Sequence, residues 1–237
     1  MGENMHYSGG KERIASKISM VLQPYVDESG VYIEPFLGGA SVFARIKAQE
    51  KHGSDANPWL MTMWQACLDG WSPPDTVSED EYADIKRRKP KGPITAFVGF
   101  GCSFGGKWFG GYARCAQGKS YAAVAQRSIA RKIAGFGAAN LRCVPYDRSS
   151  AGLHSNAVIY CDPPYINTTD CYSTDRFDSE RFWGWVRKQE VLGHSVFVSE
   201  YVAPDDFVAV AEFPKKVTMD KSNGYTERIE KLFRLSQ

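Results

Sequence analysis

Residues 156–165 read NAVIYCDPPY. Ala157 to Cys161 form a mostly apolar run of strand length, and the run stops abruptly in a carboxylate, two residues without a backbone N–H, and an aromatic ring. A short apolar run bounded in this way suits a strand buried on both faces, as in a parallel sheet covered by helices. Its neighbours fit. "LRCVPY" at 141–146 precedes it as a second strand, a helix is expected over 178–191 through Phe182, Trp185 and Val186, and "SVFVSE" at 195–200 gives a third strand.

Towards the N-terminus, Ile14, Ile18, Val21 and Leu22 follow helical spacing, with Pro24 expected to end that helix. "VYIEPF" at 31–36 reads as a strand, and "LGGASVFARIKAQE" as a glycine turn running into a helix with Ser41 near its start. Residues 47–57, KAQEKHGSDAN, show no apolar strand, and 57–68 reads as a helix rich in Trp and Met. "GWSPPDTVSEDE" at 70–81 is expected to be a loop. "SYAAVAQRSIARKIAGF" at 120–136 is a helix with Ala122, Ala125, Ile129 and Ile133 on one face and Arg127 and Arg131 roughly opposite. The segments at 214–220 and 228–235 read as closing strands. The expected fold class is α/β, a mostly parallel sheet interrupted by an inserted, mainly helical segment.

The 237 residues are 43% apolar, enough for a substantial core, and contain no 18-residue apolar run able to cross a membrane. No hydrophobic signal region opens the sequence. The six cysteines form no Cys-x-x-Cys pair and the four histidines are scattered, so no metal site is expected. Cys143 and Cys161, inside apolar runs, read as small core residues of a reduced, intracellular protein.

Net charge is +2, but it is unevenly distributed. From Lys86 to Tyr146 there are twelve Lys or Arg and no Asp or Glu, whereas the rest carries seventeen basic against twenty-seven acidic residues, about −10. One cationic segment in an otherwise acidic chain points to a polyanion as partner. Within it Lys107, Arg114, Lys119, Arg127 and Arg131 are candidate phosphate contacts. Trp108 and Phe104 are candidates either for insertion into a base stack or for core packing.

In α/β sheets ligands bind beyond the carboxyl ends of strands, which is where "EPFLGG" and "DPPY" are expected to fall. The chemistry of the second follows from its residues. An aromatic exocyclic amine is a poor nucleophile because its lone pair is delocalised into the ring. Acceptors aimed at its two N–H groups, the Asp162 carboxylate and the Pro163 carbonyl, draw the nitrogen toward tetrahedral geometry. Pro163 and Pro164 stiffen the loop, and Tyr165 offers a face for base stacking, worth about 1–3 kcal/mol.

These motifs, in their order, resemble the Dam-type DNA adenine-N6 methyltransferases. "YSGGK" at 7–11 is similar to that family's N-terminal cofactor motif, "YIEPFLGGASVF" at 32–43 to its glycine motif and "SDANPWL" at 54–60 to its Asp-x-Asn segment. "YCDPPY" at 160–165 matches its catalytic tetrapeptide, and "KSNGYTERIEKLFRL" at 221–235 its C-terminal stretch. The resemblance implies a Rossmann-like methyltransferase sheet that uses S-adenosylmethionine on double-stranded DNA. Residues 1–70 and 141–237 would form the catalytic domain and 71–140 the target-recognition insertion. Asp162, Pro163, Pro164 and Tyr165 would be catalytic, and Tyr7, Lys11, Glu34, Phe36, Gly38, Asp55 and Asp162 would bind the cofactor, with Tyr146 and Asp147 near its pocket. Activity on cytosine N4, RNA or a protein amide, or a non-catalytic DNA-binding role, stays open as an alternative. A monomer without membrane or obligate protein partner, in the cytoplasm of a bacterial or phage-infected cell, is the corresponding expectation.

Overall fold

The structure, a computed structural model, describes residues 10–114, 120–150, 152, 156–164, 177–218 and 225–236. Helix α1 (Ala15–Ser29) leads into β1 (Val31–Glu34), and β2 (Glu50–Asp55) into α2 (Pro58–Leu68). The segment read from the sequence as an insertion, residues 71–140, holds α3 (Glu79–Arg88), the single turn α4 (Pro93–Ala96) continued by a π-helical turn at Phe97–Gly101, and α5 (Tyr121–Ala134). Then follow β3 (Asn140–Cys143), β4 (Val158–Cys161), α6 (Ser179–Val191), β5 (Ser195–Glu200), β6 (Phe207–Thr218) and β7 (Tyr225–Leu235).

The sheet order is β3-β2-β1-β4-β5-β7-β6, the first five strands parallel and β7 antiparallel to both its neighbours. This is the doubly wound, Rossmann-like α/β sheet that was expected. Alternate residues of the central strands enter two cores, Tyr32, Val158, Tyr160 and Phe197 on one face and Ile33, Ile159, Cys161, Val196 and Val198 on the other. Chain order reverses between β1 and β4, which pair in parallel with Tyr32 opposite Val158 and Ile33 opposite Ile159. Their carboxyl ends are therefore side by side at the switch point, where such sheets bind ligands.

Four local expectations are corrected. Pro24 does not end α1; the helix runs on to Gly30, whose left-handed φ of 74° closes it with a bond from its N–H to the Val26 carbonyl. A mid-helix proline costs about 3 kcal/mol, but Ile18, Leu22 and Val26 are all buried and each contributes roughly 1.5–3 kcal/mol. Packing wins.

Residues 37–50 form no α-helix beyond one 3-10 turn at Phe43–Arg45, because left-handed Gly38 (φ 45°) and Ala40 (φ 54°) prevent a helical start. The vacant layer is filled by the end of α5. A Cβ on Gly135 would stand 2.0 Å from the Ala44 carbonyl oxygen, so only glycine admits this approach, and Phe136 packs on Phe43 and Trp64.

The polar segment 50–55 is an interior strand. Lys51 is buried, yet its ammonium donates to the carbonyls of Phe43, Ile46 and Gly135 at 2.7, 2.9 and 2.8 Å, so all three donors are satisfied. Burial pushes its pKa down to about 8, against the opposing pull of Glu34. Cys143 is exposed rather than core, whereas Cys161 is fully buried.

The insertion is not separately packed. Tyr82, Phe97, Phe100, Phe109 and Ala125 belong to the same core as Trp64 and Phe43. Its glycines accept aromatic rings: Trp108 lies so close to Gly99 that a Cβ there would meet the ring at 2.4 Å. Glycine–aromatic interdigitation of this kind leaves little helical period.

Candidate active site

Two turns meet at the switch point. In the first, Gly38 has the left-handed backbone that favours glycine, its N–H donates to Asp55 Oδ2 at 2.9 Å, and its carbonyl accepts from Trp64 Nε1 at 2.9 Å. Asp55 Oδ1 accepts from the Asn57 N–H at 2.9 Å, and Asn57 caps α2. Asp55 thus ties the glycine turn to the end of β2 and the start of α2, and the Leu37 N–H adds a bond to the Ser54 carbonyl.

In the second turn, Asp162 follows β4, with Pro163 buried and Pro164 half-buried. The buried Lys11 ammonium pairs with Asp162 Oδ1 and, at 3.2 Å, with Glu230 on β7, whose side chain is fully buried. Burial alone would depress the Lys11 pKa; the Asp162 and Glu230 carboxylates outweigh it and raise the value, so the ammonium stays charged. Lys11 and Asp162, both drawn from the sequence, are brought into direct contact. Tyr7, expected near them, and Tyr165 lie outside the described residues.

Glu34 ends β1 beneath both turns and is buried. Desolvation raises its pKa to about 8; the Tyr32 hydroxyl, donating at 2.7 Å, works against this and the Asp162 charge works with it. Glu200, ending β5, is raised to about 7, again chiefly by burial. With its pKa raised to about 8, Glu34 is mostly neutral near pH 7 and adds little to the negative charge that Asp162 presents as an acceptor.

Phe36 stacks on Tyr146, centroids 5.4 Å apart and planes 22° off parallel, and touches Phe177 and Phe182 edge-on. Asp147 is paired with Arg181 at 2.6 Å. Phe36 and Tyr146 thus form one aromatic wall.

On the insertion, Lys107 is exposed, and Trp108 is half-buried against Trp59, Phe100 and Phe109. Phe104, by contrast, is 70% exposed on a turn formed with Gly105 and Gly106. Arg114 is ion-paired to exposed Glu79, and Arg127 and Arg131 are exposed on α5. Lys119 lies outside the described residues. Sequence reading missed Lys132, Glu12 and Glu230. Lys132 and Glu230 were signalled only by a charged residue at a core-facing helical or strand position, and Glu12, in the turn before α1, by nothing in its local pattern.

Residues 7–91 match the family model described as D12 class N6 adenine-specific DNA methyltransferase. The DNA adenine methylases of two Vibrio cholerae serotype O1 strains are each 26% identical to the chain over 198 residues, covering 70% of it. The match spans 66% of each relative's own length. A solved structure described as a methylase from Haemophilus influenzae covers 95% of this chain and 89% of that one at 10% identity, with a TM-score of 0.37, too distant a likeness to carry argument. Motif order, family model and curated relatives point the same way: the chain is similar to D12 class N6 adenine-specific DNA methyltransferases over residues 7–91 and to the DNA adenine methylases over 70% of its length.

Proposed function

We propose that this chain methylates the exocyclic N6 amine of an adenine flipped out of double-stranded DNA, with S-adenosylmethionine as donor. The observation that carries the reading is the register of β1 against β4, which sets the glycine turn and the Asp162–Pro163 turn next to each other on one sheet edge. The first turn suits the donor. Gly38 offers backbone without a side chain, Phe36 a flat apolar wall, and Glu34 and Asp55 polar ends for hydroxyl or amine groups. Lys11, inferred from the resemblance to touch the cofactor, is instead read as the cation that fixes Asp162 in place.

Asp162 and the Pro163 carbonyl would accept the two N6 hydrogens and hold the lone pair out of the purine ring. S-adenosylmethionine supplies a methyl carbon on a positively charged sulfur; as the N6–C bond forms the S–C bond breaks, the thioether leaves neutral, and one amine proton passes to solvent. Extruding the base costs roughly a few kcal/mol, offset by stacking and duplex contacts. In this reading Tyr165 supplies the stacking face, and Tyr7 lines the cofactor side.

The insertion, residues 71–140, is the proposed duplex-binding part. Lys107, Arg127 and Arg131 are among its exposed cations, and Phe104 is the exposed ring among its described residues, better disposed to enter a base stack than Trp108. No helix among the described residues is long and apolar enough to cross a membrane.

The test supplies labelled S-adenosylmethionine with duplex DNA, single-stranded DNA, RNA and protein acceptors, and identifies the modified base. N6-methyladenine in duplex DNA is expected. Label on cytosine, RNA or protein, or on nothing at all, would reject the reading in favour of the corresponding alternative.

A further inference from the structure

The glycine turn is held from a direction the motifs do not reveal. Lys132, on the last turn of α5, is 5% exposed, and its ammonium donates to the Gly39 carbonyl at 2.6 Å and to Ser41 Oγ at 3.2 Å. It also lies 3.2 Å from Glu12 Oε2. Glu12 in turn accepts from Ser41 Oγ at 2.8 Å and from Arg45 at 2.6 Å, and Arg45 donates to the Ser41 carbonyl at 2.6 Å. The residues between 39 and 45 are therefore gripped on both backbone and side chain by one cation and one carboxylate from outside the turn. Glu12 follows directly on Lys11, the partner of Asp162.

We infer that Lys132, contributed by the insertion, is a positioning residue for the cofactor turn, setting with Glu12 the backbone shape that residues 38–41 present to S-adenosylmethionine. This rests on the proposed methyl donor. Three features support it. A buried ammonium without acceptors is costly, so Lys132 stays buried only while the Gly39 carbonyl and Ser41 hydroxyl stand where they do. The converse also holds: a turn with left-handed Gly38 and Ala40 has several alternative conformations, and charge-assisted bonds from a rigid helix select one of them. Lastly, α5 is anchored outside the turn, with Ala122, Ala125 and Ile129 buried in the same core as Phe97 and Phe100, so Lys132 extends from a fixed base.

The experiment measures S-adenosylmethionine binding by calorimetry, binding of a 30-base-pair duplex, and steady-state methylation for the wild type, Lys132→Met and Glu12→Gln. Loss of about one charge-assisted bond to the turn is expected to weaken cofactor binding roughly tenfold. KM for the cofactor should rise in step, while kcat at saturating cofactor and duplex affinity stay within about threefold. Glu12→Gln keeps the side-chain length and should shift the same constant by a smaller factor, which decides the matter should Lys132→Met fail to fold. Unchanged cofactor affinity in a folded variant, or an equal fall in every parameter together with the melting temperature, overturns the inference. A wild type that does not bind S-adenosylmethionine sinks the functional reading as well, and that outcome is separate because it appears before any substitution.

Discussion

Replacing Lys11 by Met tests the buried charge triad most sharply. In the native protein one ammonium serves two carboxylates, Asp162 at a fifth exposed and Glu230 fully buried. Methionine fills similar volume but removes the ammonium that the Asp162 and buried Glu230 carboxylates share. Breaking a buried pair by removing one partner costs about 3–5 kcal/mol, a large share of a total stability of roughly 5–15 kcal/mol. At about 2–4 °C per kcal/mol for a chain of this size, the melting temperature should fall by roughly 6–20 °C. The double variant Lys11→Met with Glu230→Gln should recover much of this loss, because it removes the Glu230 carboxylate as well. Urea unfolding followed by circular dichroism on the four proteins of the cycle gives the coupling directly. A single Lys11→Met change costing less than about 1 kcal/mol, or a double variant no better than the single, would refute the assignment of Lys11 as the shared cation.

Asp162→Ala should lower methyl transfer by at least about 10²–10³-fold, the usual scale for a preorganised polar group, while duplex retention in a gel-shift assay persists. Gly135→Ala forces its new methyl into the Ala44 carbonyl and should destabilise by about 1–3 kcal/mol or more in urea unfolding. Glu34 has its pKa raised from 4.5 to about 8 in the folded state, so the folded state binds the extra proton and stability is lost as pH rises through that window. Glu34→Gln should flatten the stability profile between about pH 4.5 and 8, by on the order of 5 kcal/mol as an upper bound; a profile unaltered by the substitution counts against it. Duplex affinity should fall steeply with salt, and removing Lys107 or Arg127 should reduce the log–log slope by about one each if they contact phosphate. An unchanged slope would remove that residue from the interface.

The parts of the fold readable in advance were those in which side-chain chemistry and backbone period agree. β4 and β5 are apolar runs, α2 opens on Asn57 and Pro58, and α5 alternates alanines with arginines. β2 escaped notice because its burial depends on a partner elsewhere in the chain: Lys51 reads as polar until three carbonyls, one from residue 135, close over it. The helix expected after the glycine turn failed for a related reason. Its sequence allows a helix, but the layer it would occupy is taken by α5. At the site, Asp162 and the glycine turn were legible as strand ends carrying unusual residues, whereas Glu12, Lys132 and Glu230 are single charges whose meaning comes only from what lies opposite them. A one-dimensional pattern contains period and composition; it does not contain pairings between residues 93 or 219 positions apart, the separations of Gly39 from Lys132 and of Lys11 from Glu230.

The helix-free crossover between β1 and β2 has a practical consequence for engineering target specificity. Because α5 supplies the missing layer through Gly135 and Phe136, a chimera that swaps the whole of 71–140, the proposed duplex-binding segment, for a relative's would tear out a wall packed on Phe43 and Trp64 as well. Junctions set ahead of Ser120 would leave that wall with its host and exchange only the loops and short helices upstream, which makes residues 79–114 the natural cassette.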